Sequence, residues 1–230
     1  MSITHLNPGN PTGRRLKVRT APVWAIEIST VEAQDDLGSG RSTLLRMDTF
    51  PFDEIKIDQG LVRGGMHKPQ RALEFVRHLT RLGHDLQTMV TVEGLETEGL
   101  LEAAAVLGAD SGQGYAIARP LRAAQLPAWQ ANFRWAVDPM RPGTVLGALA
   151  GYLLWGKQLE ILSDWPGLIQ DFVHTPCAVS RFIATNELRG SQLEALLART
   201  HVSALGGHAS ADYLNSKRLL LACLVGQLAG

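Results

Sequence analysis

Cysteine is nearly absent from this 230-residue chain, which carries only Cys177 and Cys223. Two thiols cannot build a disulfide framework, and a chain without one suits a reducing compartment, so a cytoplasmic location is expected. Neither sign of charge is in excess. Lysine plus arginine and aspartate plus glutamate number 22 each, which leaves no global basic footprint and excludes DNA as an expected partner. Long apolar runs are missing as well. The two longest, residues 145–155 and 219–225, fall short of the ~20 residues a bilayer requires, so no membrane span is expected. No apolar core follows the first residues, and no signal peptide is read there. Acidic side chains are absent from the first twenty positions. Asn7 to Gly13 is dense in turn formers, and Arg14, Arg15, Lys17 and Arg19 follow. Residues 1–20 therefore read as an irregular basic arm, either a solvated terminus or a docking strip for an anionic partner.

What is present alternates between two periods. Residues 71–82 carry apolar side chains at Leu73, Val76, Leu79 and Leu82, a helical spacing, and Gly83 is a natural stop. Residues 86–92 are rich in β-formers and end at Glu93. A short strand is expected over 53–57, ending at Asp58, and a helix over 98–107, closed by Gly108. Strand and helix in alternation imply parallel βα units. Polar clusters fall where strands end: Asp35-Asp36, Lys56-Ile57-Asp58, Glu93-Gly94-Leu95-Glu96-Thr97, and Gln113-Gly114-Tyr115. Carboxylates gathered at strand ends repel one another unless a cation lies among them, and hard divalent ions such as magnesium or manganese match oxygen ligands. Lys56 adds a positive charge suited to a phosphate or an activated water.

Those four clusters, in that order, resemble the EAL family of cyclic-di-GMP phosphodiesterases. The resemblance runs from about Asp35 to Leu121 and closes in Ala118-Arg119-Pro120-Leu121. It implies a modified (β/α) barrel that opens cyclic-di-GMP to the linear dinucleotide with two metal ions, Mg or Mn. By the same resemblance Asp35 and Asp36 match the paired metal-binding aspartates, and Lys56 the lysine near the attacking water. Glu93 matches a catalytic-site glutamate, Glu96 the one that steadies the loop after the aspartate pair, and Gln113 a glutamine in the site.

The chain also departs from the family. The resemblance covers only the later half of a barrel of about 240 residues, a size usual for such barrels. The family's early-strand glutamate and a later asparagine, both metal ligands, have no counterpart before Asp35. Glu194-Ala195-Leu196 repeats the namesake letters by coincidence, inside a helical pattern. Glu27 is open to two readings. Either it is the family's next metal ligand with the intervening helix deleted, or residues 23–28 are the strand leading into Asp35 and Glu27 lies mid-strand. A parallel crossover needs about ten residues or more, and too few separate Glu27 from Asp35.

About four βα units cannot close a barrel, so unpaired edges are expected to be covered by a second copy, a partner protein or the rest of the chain. That rest reads as all-helical. Pro127, Pro139 and Pro142-Gly143 punctuate a connector over 127–144, and a bundle of about four helices fills 145–230. Its signals are an apolar run over 145–162, the breaker Asp164-Trp165-Pro166-Gly167, a short helix over 168–173, a capping-box pattern at Ser191-Gln192-Leu193-Glu194, and Ser210 as a cap. His174, Cys177, His201 and His208 are either a zinc-binding set or ordinary buried and interfacial side chains.

The expected fold is thus α/β, an incomplete (β/α) barrel of the EAL type over 21–126, followed by an all-helical bundle. The expected function is that of a truncated EAL-family protein of bacterial cyclic-di-GMP signalling with weak or no catalysis. Two alternatives stand beside it: a phosphodiesterase completed by a partner subunit, and a non-catalytic protein-interaction module.

Overall fold

A computed structural model describes residues 3–4, 33–37, 52–134 and 137–228, the first two segments as backbone only. The chain divides into two units, residues 1–137 and 138–230. The boundary falls inside the expected connector.

The first unit holds a five-stranded sheet in the order β1-β5-β4-β3-β2. Its strands are β1 (Ile3–Thr4), β2 (Ala33–Leu37), β3 (Glu54–Ile57), β4 (Met89–Glu93) and β5 (Ser111–Gln113). The pairs β2–β3, β3–β4 and β4–β5 are parallel, as the alternating strand and helix signals imply. Ile3–Thr4, inside the expected irregular arm, instead forms an antiparallel pair with β5. Residues 5–32, with Glu27 and the basic cluster, lie outside the described residues.

The connections are α1 (Gln59–Gly64), α2 (Pro69–Asp85) and α3 (Glu98–Val106), followed after β5 by the short α4 (Leu126–Asn132). Each start has a local cause. The Asp58 carboxylate accepts from Gly60 N at 2.7 Å, Pro69 opens α2 at its first position, and Thr97 caps α3 by accepting from Leu100 N. Leu79 and Leu82 of α2 pack against buried Ile55.

Gly83 does not stop α2, which continues to Asp85. Its role is spatial: a Cβ there would lie 2.3 Å from Val90 Cγ2 and 3.5 Å from Ile55 Cδ1. Glycine lets the helix backbone settle directly on β3 and β4. The chain turns after Asp85, with Gln87 at φ 59°.

The second unit is helical throughout its described residues, with α5 (Val145–Leu162), α6 (Pro166–His174), α7 (Ala178–Thr185), α8 (Gln192–Ala204) and α9 (Ala211–Gly226). Five helices lie among the described residues, where about four were expected. The additional one, α7, buries Val179, Phe182 and Ile183, an i, i+3, i+4 set. The Ser191 hydroxyl caps α8, while Glu194 accepts from Gly190 N rather than from Ser191 N. Ser210 caps α9 through Tyr213 N. No described helix is long and apolar enough to cross a membrane.

A helix-interior glycine normally costs about 1 kcal/mol against alanine. At Gly83 the collision outweighs that gain, and Gly83→Ala is expected to destabilise the protein by about 1–3 kcal/mol, as overpacking does. Urea unfolding checks this; a more stable variant would mean that α2 is not seated on β4.

Candidate functional site

The register of the sheet sorts its side chains by chemistry. Ile55 and Ile57 of β3 stand beside Val90 and Val92 of β4, all four at 1 % exposure or less. Successive strand residues face opposite ways, so Glu54 and Lys56 share the other face with Thr91 and Glu93. Pairing of Thr91 with Ser111 and of Glu93 with Gln113 carries that polar face onto β5.

Two layers of polar contact lie on it. Nearer the strand starts, the Thr91 hydroxyl hydrogen-bonds both the Glu54 carboxylate and the Ser111 hydroxyl, with Thr91 and Ser111 fully buried. Nearer the carboxyl ends, Lys56 Nζ donates to Glu93 Oε1 at 3.1 Å, an ion pair with roughly a fifth of each side chain exposed. Gln113 stands beside Glu93 on the next strand. Lys56, Glu93 and Gln113, far apart in sequence, are thus brought together where parallel strands end, the position from which such sheets present chemistry.

Asp35 and Asp36 lie on β2 beside Lys56. Gln34 pairs with Ile55 and Leu37 with Ile57, so two residues of β2 oppose the single residue Lys56 of β3. The aspartate pair is therefore the extra-residue step of a bulge, a feature that re-aims backbone at strand ends. Its side chains lie outside the described residues.

Glu96 is placed differently. Its carboxylate pairs with the Arg63 guanidinium of α1, tying the loop after β4 to that helix. The same loop needs Gly94, whose φ is +72° and where a Cβ would lie 2.6 Å from Gln59 Cβ. Arg63, Thr91, Ser111 and Glu54 were not singled out by sequence. Each acts across the sheet or between elements, and none lies in a local motif.

The donor chemistry fits magnesium or manganese in kind, being carboxylate oxygen at strand ends. In number, the described residues contain no group of three or more His, Cys, Asp or Glu that could hold an ion. Glu93, on β4 across β3 from the aspartate pair, is engaged with Lys56.

The family model for the EAL domain matches residues 33–120, from β2 to the end of Ala118-Arg119-Pro120. This segment belongs to the EAL family. The chain is 41% identical over 99 residues to an uncharacterized signaling protein of Caulobacter vibrioides, covering 42% of this chain and 12% of that protein. It is 38% identical over 92 residues to the bifunctional diguanylate cyclase/cyclic di-GMP phosphodiesterase MucR of Pseudomonas aeruginosa, covering 40% of this chain and 13% of that one. A solved structure of the MucR phosphodiesterase in complex with c-di-GMP matches at 35% identity and a TM-score of 0.38, over 41% of this chain and 38% of that one. The chain spans about an eighth of the length of these two curated relatives.

Outside the EAL segment, two of the four candidate zinc ligands, His174 and His208, use a ring nitrogen for another contact. His174 Nδ1 donates to Gln170 O at 2.6 Å, His208 Nδ1 shares a 2.5 Å hydrogen bond with Ser163 Oγ, and Cys177 is the buried cap residue of α7. His201 stacks on Trp155 at 5.0 Å between centroids. Burial, and then the nearby His174, hold the His201 pKa below the ordinary histidine value.

Two predictions follow from these contacts. Thr91→Val leaves the Glu54 carboxylate and the Ser111 hydroxyl without their shared partner, and is expected to cost about 1–3 kcal/mol by urea unfolding; no change would mean the hydroxyl row carries no stability. For His201, the unfolded side chain takes up its proton first as pH falls below about 6.5. The stability this residue contributes is present above that value and is lost as pH falls toward the depressed folded-state pKa. Comparing unfolding midpoints at pH 7.5 and 5.5 should show a smaller acid loss in His201→Phe than in the parent. Equal losses would assign the pH dependence to other groups.

Proposed function

We propose that the chain carries part of an EAL-type domain of bacterial cyclic-di-GMP signalling, related to phosphodiesterases that hydrolyse cyclic-di-GMP, with weak or no catalysis. The β2–β5 sheet is the later part of an EAL-type barrel, and the helical unit is an added regulatory or partner-binding module. One observation carries the reading: Lys56, Glu93 and Gln113 meet on one sheet face at the strand ends, beside the Asp35–Asp36 bulge.

Asp35 and Asp36 are the residues that would hold magnesium or manganese, and the bound ions would supply an activated water and charge neutralisation at phosphorus. Lys56 serves this site by holding Glu93 at 3.1 Å and by placing a cation where an anionic phosphate would lie. Gln113, beside Glu93, offers a neutral donor and acceptor to the nucleotide. Glu96, through Arg63, steadies the loop that follows Glu93.

Weak catalysis is the reading for the ligand set that residues 1–120 carry by themselves. Residues 1–34 hold no counterpart of the family's early glutamate or later asparagine, and a two-metal site without one of its ligands has a weaker clamp on the attacking and leaving oxygens. A partner subunit supplying those ligands is the alternative. It is favoured by the outer side of β2, unpaired among the described residues.

The test is a time course of cyclic-di-GMP with monodisperse protein and manganese, resolving cyclic from linear dinucleotide by chromatography. The expected result is turnover orders of magnitude below that of a full-length EAL enzyme run alongside, removed by chelator and by Asp35→Asn. Robust turnover would overturn the claim of weak catalysis. Turnover that survives Asp35→Asn would overturn the site assignment.

A further inference from the structure

Helix α8 presents apolar side chains on two opposite faces. Leu193, Leu197 and Ala204 are buried on the inner one. Ala195, Ala198, Val202 and Leu205 lie on the outer one and are all exposed, Val202 at 70% and Leu205 at 48%. Those four recur at steps of three, four and three residues, the spacing of a seam between two helices. The inner face already serves the core of the unit, so the outer row marks a contact surface for a further element.

Beside that row runs a groove of about 680 Å³ along α8 and α9, with Ala198, Arg199, Val202, Asp212 and Ser216 in its lining. Residues 205–210 join the two helices as a hairpin. Arg199 on the α8 wall and Asp212 on the α9 wall are exposed, opposite in charge, and in no ion pair among the described residues. Ser216, one turn beyond Asp212 on the same side of α9, is 1% exposed, and its hydroxyl makes no hydrogen bond. The groove thus carries one unpaired charge of each sign and a hydroxyl without a partner.

Size and charge both select a second copy of this chain as the occupant. The outer row is small at its start, Ala195 and Ala198, and bulky at its end, Val202 and Leu205. Laid antiparallel on the same row of a second copy, Leu205 meets the partner's Ala195 and Val202 meets the partner's Ala198, so each bulky side chain finds room. An antiparallel pair about a two-fold axis also keeps both copies of α9 on one side of the seam. Arg199 then faces the partner's Asp212, and Asp212 faces the partner's Arg199. A parallel pair would set Leu205 against the partner's Leu205 and carry the two α9 helices to opposite sides. One arrangement therefore satisfies both size and charge.

We propose that the α8–α9 face is the interface of a two-fold symmetric dimer of this chain, with α8 packed antiparallel on its copy and Arg199 paired with the partner's Asp212. Helix α8 has 13 residues, about 20 Å of length. The contact is therefore smaller than the ~800 Å² per partner of a standard interface, and the dimer is weak. The proposal rests on the reading of the helical unit as a partner-binding module and names that partner. Oligomeric state is measured without nucleotide, so its failure leaves the reading of the EAL segment untouched.

The test is sedimentation velocity of the full chain from about 1 to about 300 µM, where a monomer–dimer equilibrium with a dissociation constant on the order of 10 µM is expected. Arg199→Asp and Asp212→Arg each set like charges against one another at both contacts, and each alone should raise that constant at least about tenfold. An equimolar mixture of the two variants restores opposite charge at both contacts and should dimerise about as tightly as the parent. Leu214→Ser, which removes an exposed leucine on the side of α9 away from Asp212 and Ser216, should change nothing. A parent that stays monomeric throughout would overturn the proposal. So would a dimer that both charge variants leave intact, or a mixture that associates no better than either variant alone. Should a charge variant fail to fold, an oxidised mixture of Ala198→Cys and Val202→Cys chains must yield the mixed disulfide dimer, and its absence overturns the proposal equally.

Discussion

The in-register parallel pairing of β3 with β4 and β5 is the constraint on which the first unit depends. It stacks Ile55 beside Val90 and Ile57 beside Val92 on the face that α2 covers, and by the same act sets Lys56, Glu93 and Gln113 on the other. Side chains alternate with period two, so a slip of one residue would exchange the apolar and polar sets. Core and candidate site therefore share a single determinant. The close seat of Gly83 against Val90 helps to fix it, because a helix settled that tightly on β4 tolerates little displacement of the strand.

The two units draw on different contacts. In the first, the polar groups of the sheet and its loops find partners. Glu54, Thr91 and Ser111 form a chain, Lys56 meets Glu93, and Glu96 meets Arg63. Asp110 joins His84 at 2.9 Å and accepts from Val90 N, tying the end of α2 to the start of β4. In the second unit the apolar surface does most of the stabilising, with α5 buried along nearly its whole length. There an aromatic cluster of Tyr152, Trp155, Phe172 and His201 packs ring on ring. A paired polar layer like that of the first unit rigidifies the face that carries it.

The parts of this architecture legible in the sequence were those written in local periodicity and end signals. The spacing of Leu73, Val76, Leu79 and Leu82 gave α2, the apolar run from residue 145 gave α5, and Ser191 and Ser210 gave the starts of α8 and α9. The clusters around Lys56, Glu93 and Gln113 were legible as strand ends, and the sheet brings those three to one face. What escaped depends on contact between distant segments. Gly83 reads as a stop because its packing against Val90 has no local signature. The Thr91 hydroxyl row, the Arg63–Glu96 pair and the aromatic cluster around Trp155 are products of tertiary placement. The short α7 carried a proper apolar spacing at Val179, Phe182 and Ile183, but it is only two turns long, too brief for periodicity to stand out.

The bulge in β2 bears on how such a segment changes over time. An ordinary ladder of parallel bonds resists insertion or deletion, because every pairing beyond the change must move. Here one residue between Gln34 and Leu37 is surplus to the ladder with β3. Losing it would leave both flanking pairings in place and the sheet continuous, while halving the aspartate pair. The strand ladder and the aspartate pair are thus separable by a single codon, and a lineage can shed the second while inheriting the first intact.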